Sequence, residues 1–249
     1  MNTLWQQWIY RLFLLWFSVG VVLVGFDLLP PYLEWANLVF LVLTGVLAII
    51  YFLKSFGLVK GWIISTIIFV VSMSVEHIGT VYGVFFGNYT YNDDFGLKLF
   101  DVPVAIGFAW LMVIGSSHAI VERLFSNKAV LLKILIGAGL SVGMDLILDP
   151  VSAVVKEYWI WNQGGLYYDI PFSNFAGWFV LAALFFIVVY LFRSESLDLD
   201  WQRRLFTVYV LVTCMFAFIG LLNGLWLASF FSSVILIVLL GMRVFYARS

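Results

Sequence analysis

The chain has 249 residues, of which 64% are hydrophobic and 11% are charged, and its mean hydropathy is +1.07. Soluble domains are about 45–50% apolar and about 25% charged, so this composition predicts an integral membrane protein. The net charge of −1 provides no basic surface, which excludes DNA and RNA as partners.

Eight apolar runs are long enough to cross a bilayer, because a helical span needs about 20 mostly apolar residues. They are 9–29, 33–54, 60–83, 102–123, 129–149, 174–193, 203–222 and 225–243. A short segment, Leu222-Asn223-Gly224, separates the last two, so one broken helix and seven spans is an alternative. The sequence predicts an all-α fold, a polytopic transmembrane helical bundle of about eight spans. We expect residues 1–249 to form a single integral membrane domain, with its motifs in a core at 60–190.

The basic residues predict the orientation of the spans, because cytoplasmic loops retain Lys and Arg. With both termini inside, all of the 13 basic residues except Lys98 and Lys156 fall on the inner side. This favours an even number of spans. The expected location is the cell membrane, as a multi-pass protein with its active site towards the outer face.

Two segments on the predicted outer face share the pattern D-[VI]-P-x6-W. They are Asp101-Val102-Pro103 with Trp110, and Asp169-Ile170-Pro171 with Trp178. Each follows an aromatic turn, and each turn follows an apolar helix that ends in acidic residues. Because both copies run in the same direction, the pattern predicts a parallel repeat of two hairpins about an axis along the membrane normal.

Three acidic residues in these helices are candidate catalytic groups, because an ionisable residue inside a span costs about 2.5–3.5 kcal/mol on insertion scales. Glu76 and Asp149 each lie 16 residues beyond the last inner lysine, so they are expected at the same depth. Asp145 lies one turn deeper on the same helix face as Asp149. The alternative is that these carboxyls are solvated or bind helix ends. We predict that they face one pocket.

A group of aromatic and polar residues near these acids is predicted to bind substrate. They are Tyr89, Tyr91, Trp159, Trp161, Tyr167, Tyr168, Asn174, Trp178 and His77. Aromatic rings stabilise a cation through the quadrupole of the ring face. His77 has an equally good interpretation as a structural histidine. The second histidine, His118, is expected near the inner side, so the two cannot share a metal, and no metal site is predicted.

Two blocks of the sequence resemble the membrane-embedded carotenoid biosynthesis proteins, the carotenoid 1',2'-hydratase family that includes the bacterioruberin-pathway enzyme. The first block is Glu76-His77-Ile78-Gly79-Thr80, Gly87-Asn88-Tyr89-Thr90-Tyr91, Val102-Pro103 and Trp110. The second is Asp145-x3-Asp149-Pro150, Trp159-Ile160-Trp161, Gly164-Gly165-x-Tyr167-Tyr168, Ile170-Pro171, Asn174-Phe175 and Gly177-Trp178. The likeness covers roughly 60–190. Asp169 departs from the family pattern, which has a small residue, often glycine, at this place.

The resemblance implies that water is added to the terminal isopropylidene double bond of an acyclic carotenoid such as lycopene, with no cofactor. In this reaction Asp145 or Asp149 would protonate the alkene, aromatic residues would face the tertiary cation, and Glu76 would orient water. The expected partners are membrane lipid and the apolar carotenoid. The alternatives are another isoprenoid-lipid enzyme, such as a cyclase or a transferase, and a non-catalytic protein that transports lipid or solute.

Overall fold

The fold is a bundle of α-helices. The computed structural model describes residues 4–93, 95–192 and 197–246. Within these residues it has eight helices that are long and apolar enough to cross a membrane, which confirms the predicted bundle. They are α1 (Leu4–Gly25), α2 (Trp35–Phe56), α3 (Leu58–Tyr82), α4 (Val104–Leu124), α5 (Val130–Pro150), α6 (Phe172–Leu191), α7 (Leu199–Leu222) and α8 (Trp226–Tyr246).

The last two helices are separate, which decides between eight spans and seven. α7 ends at Leu222 and α8 begins at Trp226. Gly224 in the connection has a φ of +78°, in the left-handed region that glycine adopts without steric cost. The chain therefore turns back at this point. A 3-10 helix, Pro31–Leu33, occupies the connection between α1 and α2.

The fifth span passes through a proline and is longer than the predicted run. α5 includes Pro150 and continues as a π-helix, Val151–Val155. Proline has no N–H, so it leaves the carbonyl four residues earlier without its helical partner. In this helix that carbonyl belongs to Leu146, and it accepts a hydrogen bond of 2.7 Å from the Tyr167 hydroxyl. The tyrosine thus replaces the missing bond.

In the described part of the chain, four short strands lie in the connections at one end of the bundle, where the sequence predicted only turns. They are β1 (Tyr89–Tyr91), β2 (Lys98–Leu99), β3 (Val102–Pro103) and β4 (Trp159–Trp161). β1 pairs with β4 and β2 pairs with β3, both in the antiparallel sense. The β1–β4 pair joins the α3–α4 connection to the α5–α6 connection. We call this end of the bundle the strand end.

The α1–α2 and α7–α8 connections also lie at the strand end. The Asn37 side-chain amide, near the start of α2, donates to the Tyr158 hydroxyl at 2.6 Å. The Tyr168 hydroxyl oxygen accepts from the backbone N–H groups of Leu227 and Ala228 at 3.1 and 3.3 Å. Those N–H groups belong to the first turn of α8, where no helical carbonyl is available to them. Tyr168 therefore caps α8.

The helices pack around α4, whose span has the largest buried share of the eight, while α1 has the smallest. Small residues allow close approach of the helices, as is common in membranes. A Cβ added at Gly107 of α4 would lie 2.5 Å from the Phe69 ring of α3. Within α1, Gln6, Phe13 and Gly25 are buried among the described residues. α1 is thus a peripheral helix.

A second group of polar residues lies at the end of the bundle opposite the strands. Lys133 forms a salt bridge of 3.0 Å with Glu122, which also accepts a 2.8 Å hydrogen bond from the Tyr190 hydroxyl. His118 is buried, and its Nδ1 is 2.8 Å from the Tyr51 hydroxyl. These contacts connect α2, α4, α5 and α6, so this group holds the helices together.

Candidate functional site

A cavity of about 470 Å³ lies inside the bundle and reaches the strand end. Glu76 of α3 and both Asp145 and Asp149 of α5 line it. Each of these three residues is at most 5% exposed. The remaining wall is mainly apolar and aromatic. The acids predicted to face one pocket do share one.

Glu76 accepts hydrogen bonds from three aromatic side chains. Its Oε2 accepts from the hydroxyls of Tyr89 and Tyr91 at 2.5 and 2.8 Å. Its Oε1 accepts from the indole N–H of Trp110 at 3.1 Å. Donors that point at both oxygens favour the ionised carboxylate. Glu76 is therefore held in one orientation by these three donors.

The two tyrosines on β1, Tyr89 and Tyr91, remain protonated at neutral pH. Burial is the main cause that raises the pKa of Tyr89 well above its ordinary value, and the Glu76 charge adds to it. The same two causes, in the same order, raise the pKa of Tyr91. A phenol with a raised pKa remains a hydrogen-bond donor. Both phenols therefore continue to donate hydrogen bonds to Glu76 at neutral pH.

Asp149 and Asp145 are joined by one amide group. The side-chain nitrogen of Asn174 donates to Asp149 Oδ2 at 2.6 Å and to Asp145 Oδ2 at 3.0 Å. Asp149 Oδ1 also accepts from the indole N–H groups of Trp159 and Trp161, at 2.8 and 3.2 Å. Asp149 thus has three donors, whereas Asn174 is the one donor that reaches Asp145 in the described parts of the chain.

Glu76 and Asp149, the two carboxylates with three donors, occupy equivalent places in two halves of the site. The first half is α3, β1 and α4, and the second is α5, β4 and α6. β1 and β4 pair in a register that sets Thr90 opposite Ile160, and each is the middle residue of its strand. Such a pair is related by a local two-fold rotation. The outer residues of β1 donate to Glu76, and those of β4 donate to Asp149. Asp145 adds a further carboxyl to the second half.

Both D-[VI]-P motifs form the same hairpin turn. Leu99 pairs with Val102 across the first turn, and Tyr167 pairs with Ile170 across the second. The central residues all have positive φ, namely Phe100 (51°), Asp101 (62°), Tyr168 (52°) and Asp169 (60°). Positive φ at both central positions is typical of a type I′ turn, whose twist matches the strands. The repeated sequence therefore forms repeated structure.

The tryptophans that end the two motifs meet in the cavity wall. Trp110 of α4 and Trp178 of α6 stack with ring centroids 4.1 Å apart and an interplanar angle of 23°. A second pair of rings lies at the strand end, where the ring centroids of Trp161 and Tyr89 are 4.9 Å apart. Aromatic rings thus line the cavity around the carboxyls, and an aromatic ring can stabilise a cation through its face.

Six of the nine residues predicted to bind substrate line the cavity. They are Tyr89, Tyr91, Trp159, Trp161, Asn174 and Trp178. The structure places the other three elsewhere. The Nδ1 of His77 bonds the backbone carbonyl of Phe100 at 2.9 Å, so it supports the β2–β3 hairpin. Tyr167 bonds the carbonyl of Leu146, and Tyr168 caps α8.

Sequence reasoning missed part of the site. Trp110 was recognised as the end of a motif but not as a donor to Glu76, although the repeat with Trp178 was a signal for it. The far wall was missed as well. It comprises Trp16 and Gly20 of α1, Ala36 and Phe40 of α2, and Met215, Phe216 and Ile219 of α7. No motif marks these residues, because helix packing alone brings them to the cavity.

A family model described as carotenoid biosynthesis protein matches residues 36–240 of the chain. The match includes α3 to α7, and therefore all three acids and both turns, while α1 precedes it. No curated protein and no solved structure matches the chain at a significant level.

Proposed function

Because the chain belongs to the carotenoid biosynthesis protein family, we propose that it is a carotenoid hydratase. This hydro-lyase type of enzyme adds water to the terminal isopropylidene double bond of an acyclic carotenoid and produces a tertiary alcohol. The observation that carries the proposal is the cavity itself. Three carboxyls and a set of aromatic rings meet in one mainly apolar cavity between helices that are apolar enough to span a membrane.

Asp145 is the proposed proton donor, which chooses between the two aspartates left open by the sequence. Its Oδ2 accepts from Asn174, while its Oδ1 accepts no hydrogen bond from the described residues. Asp149, by contrast, has three donors, which favour its ionised form. Two carboxylates bonded to one amide nitrogen repel each other, so a single proton is best held by the partner with fewer hydrogen-bond donors, Asp145.

Proton transfer from Asp145 to the less substituted alkene carbon forms a C–H bond and leaves a tertiary cation. The Trp110 and Trp178 rings and the indoles of β4 line the cavity beside the acids, and their faces that are not stacked on each other can stabilise that cation. The fixed charges of Glu76 and Asp149 stabilise the same positive charge, because they are oriented before the reaction begins.

Water then completes the reaction. Among the described residues Glu76 Oε1 has one donor, Trp110, so it can accept a second hydrogen bond, from water. The water oxygen forms a bond to the cation, and the proton that it loses restores the carboxyl group of Asp145. Atoms balance with one alkene and one water consumed and one alcohol formed.

Expression in a host that accumulates lycopene tests the proposal. Mass analysis of the extracted pigments should find products heavier than lycopene by one water for each end that reacts. A product with unchanged mass and altered absorption would indicate a cyclase instead. Unchanged lycopene with intact protein in the membrane would contradict the enzyme and leave the transport interpretation.

A further inference from the structure

The cavity extends well beyond the three carboxyls. On the side formed by α1, α2 and α7 its wall includes Trp16 and Gly20 of α1, Phe40 of α2, and Met215 and Phe216 of α7. None of these side chains carries a charge. The chemistry at the acid end requires a few atoms of substrate, so this apolar extension is suited to the chain that follows them.

The strand end of the cavity is covered. The paired strands β1 and β4 lie across it, and Phe95 stacks on Tyr158 with ring centroids 4.3 Å apart and an interplanar angle of 11°. Phe95 is 7% exposed. A long apolar molecule would have to separate these elements, and leave the hydrocarbon layer, to enter from that side.

The cavity opens sideways between α1 and α2. Leu15 and Val19 of α1 are 63% and 50% exposed, and Trp35 of α2 is 54% exposed, yet all three line the cavity. The wall therefore continues to the outer surface of the bundle along α1. On the α7 side the lining residue Val212 is fully buried, so that side is closed.

Trp16 ties the two helices together beside this opening. Its indole N–H donates to the backbone carbonyl of Ala36 at 3.1 Å, and its ring lies 6.0 Å from that of Trp35. Apart from such contacts α1 is lightly packed, with its side chains facing outward along much of its length. The opening is thus a defined gap with fixed borders.

We propose that this gap is the lateral entrance through which the polyene chain of the substrate passes from the bilayer, and that Gly20 sets its width. Gly20 lines the cavity, and a Cβ added there would meet no atom within 4 Å. A side chain can therefore begin there without a clash at its Cβ, and a large one would extend into the space proposed for the polyene. The identity of the occupant rests on the proposed function, while the position of the entrance rests on the structure.

Gly20→Trp is the direct test, with Gly139→Trp as its matched control. Gly139 lies on the exposed face of α5, outside the cavity, and a Cβ there also meets nothing within 4 Å. Each protein is purified in mild detergent from a lycopene-producing host, and the carotenoid that remains bound, lycopene and hydrated product together, is quantified by absorbance. Wild type and Gly139→Trp should retain pigment, whereas Gly20→Trp should retain at least tenfold less.

Asp145→Asn separates this inference from the proposed function. It should retain lycopene and form no hydrated product, because it changes the acid and leaves the entrance open. If the wild type binds lycopene without converting it, the hydratase fails and the entrance stands. Pigment binding by Gly20→Trp at the wild-type level would overturn the entrance. If Gly20→Trp does not elute as a folded protein, Val19→Trp places the same ring in the gap from an exposed position.

Discussion

At the scale of single residues, the site contains three carboxyls that differ in the number of hydrogen bonds they accept. Glu76 and Asp149 each accept three hydrogen bonds, and Asp145 accepts one from Asn174 among the described residues. The sequence identified all three because acids are costly inside a span. It did not rank them, because strand formation by β1 and β4 and the packing of α4 and α6 bring the donors to the acids, and no sequence pattern shows either.

Asp145→Asn should abolish hydration while the protein still folds. Asparagine can still accept the Asn174 bond, but it has no acidic proton, and general acid catalysis is worth about 10²–10⁴ in rate. Pigment extraction and mass analysis measure the loss. Asp93→Asn, on the exposed surface, is the control and should stay within a few-fold of wild type. An active Asp145→Asn together with an inactive Asp149→Asn would assign the proton to Asp149.

Glu76→Gln should slow hydration by about 10²–10³, the effect of removing one preorganised electrostatic group. The indole of Trp110 can only donate, so the glutamine oxygen must face it and the amide NH₂ must face the two phenols. Phenol oxygens can accept, so the variant should fold and retain pigment. A rate equal to that of wild type would show that the Glu76 charge plays no part.

At the scale of elements, the sequence predicted helices well and strands not at all. The eight apolar runs are long, and each satisfies its own backbone, so composition alone marks them. The strands have two or three residues and depend on pairing across connections that are distant in sequence, as between Tyr89 and Trp161. The repeat itself was visible, because the same turn requires the same residues twice.

Asp169→Gly should raise the stability of the protein. The residue has a φ of 60°, and left-handed backbone costs a side chain about 1–2 kcal/mol, although aspartate tolerates it better than most. Glycine removes this strain. It also increases the entropy of the unfolded chain, which lowers the stability by about 0.4–1 kcal/mol, so the free energy of unfolding should rise by a few tenths to about 1 kcal/mol. Asp101→Gly in the equivalent turn should act alike.

Thermal unfolding in detergent measures this effect. Asp93→Gly is the matched control, since Asp93 has no positive φ and forms a 2.8 Å salt bridge with Lys98. That substitution should be neutral or destabilising. A fall in the unfolding temperature of both Asp169→Gly and Asp101→Gly would refute the explanation of these turns by backbone conformation.

At the scale of the whole molecule, four connections meet at the strand end and the acids lie beneath them. The orientation of this end in the membrane remains a prediction from the basic residues. Lys98 and Lys156 lie in the strand-end connections, whereas Lys60 and Lys128 lie near the connections at the opposite end. The site should therefore face outward.

Cysteine labelling tests that orientation. Single cysteines at positions 98 and 156 should react with a membrane-impermeant reagent in intact cells, and those at 60 and 128 should react only after lysis. The native Cys214 is exposed and is first replaced by serine. Labelling of position 128 but not 98 in intact cells would reverse the orientation.

The far wall of the cavity could not be predicted from the sequence. Leu15, Gly20 and Phe216 look like ordinary apolar residues of spans, and only the packing of α1, α2 and α7 brings them to one cavity. Motifs therefore predicted the reacting end of the site, while the part suited to a long chain appeared only with the fold.

The measurement that tests the account most directly is the reaction of purified protein with lycopene in isotopically labelled water. In heavy-oxygen water the product should carry one heavy oxygen for each reacted end, in the tertiary hydroxyl group. In deuterium oxide it should carry one non-exchangeable deuterium on the neighbouring carbon, delivered through the carboxyl of Asp145, and Asp145→Asn should yield no labelled product. A product that contains neither label, or an oxygen that does not come from water, would contradict hydration by proton transfer from this site.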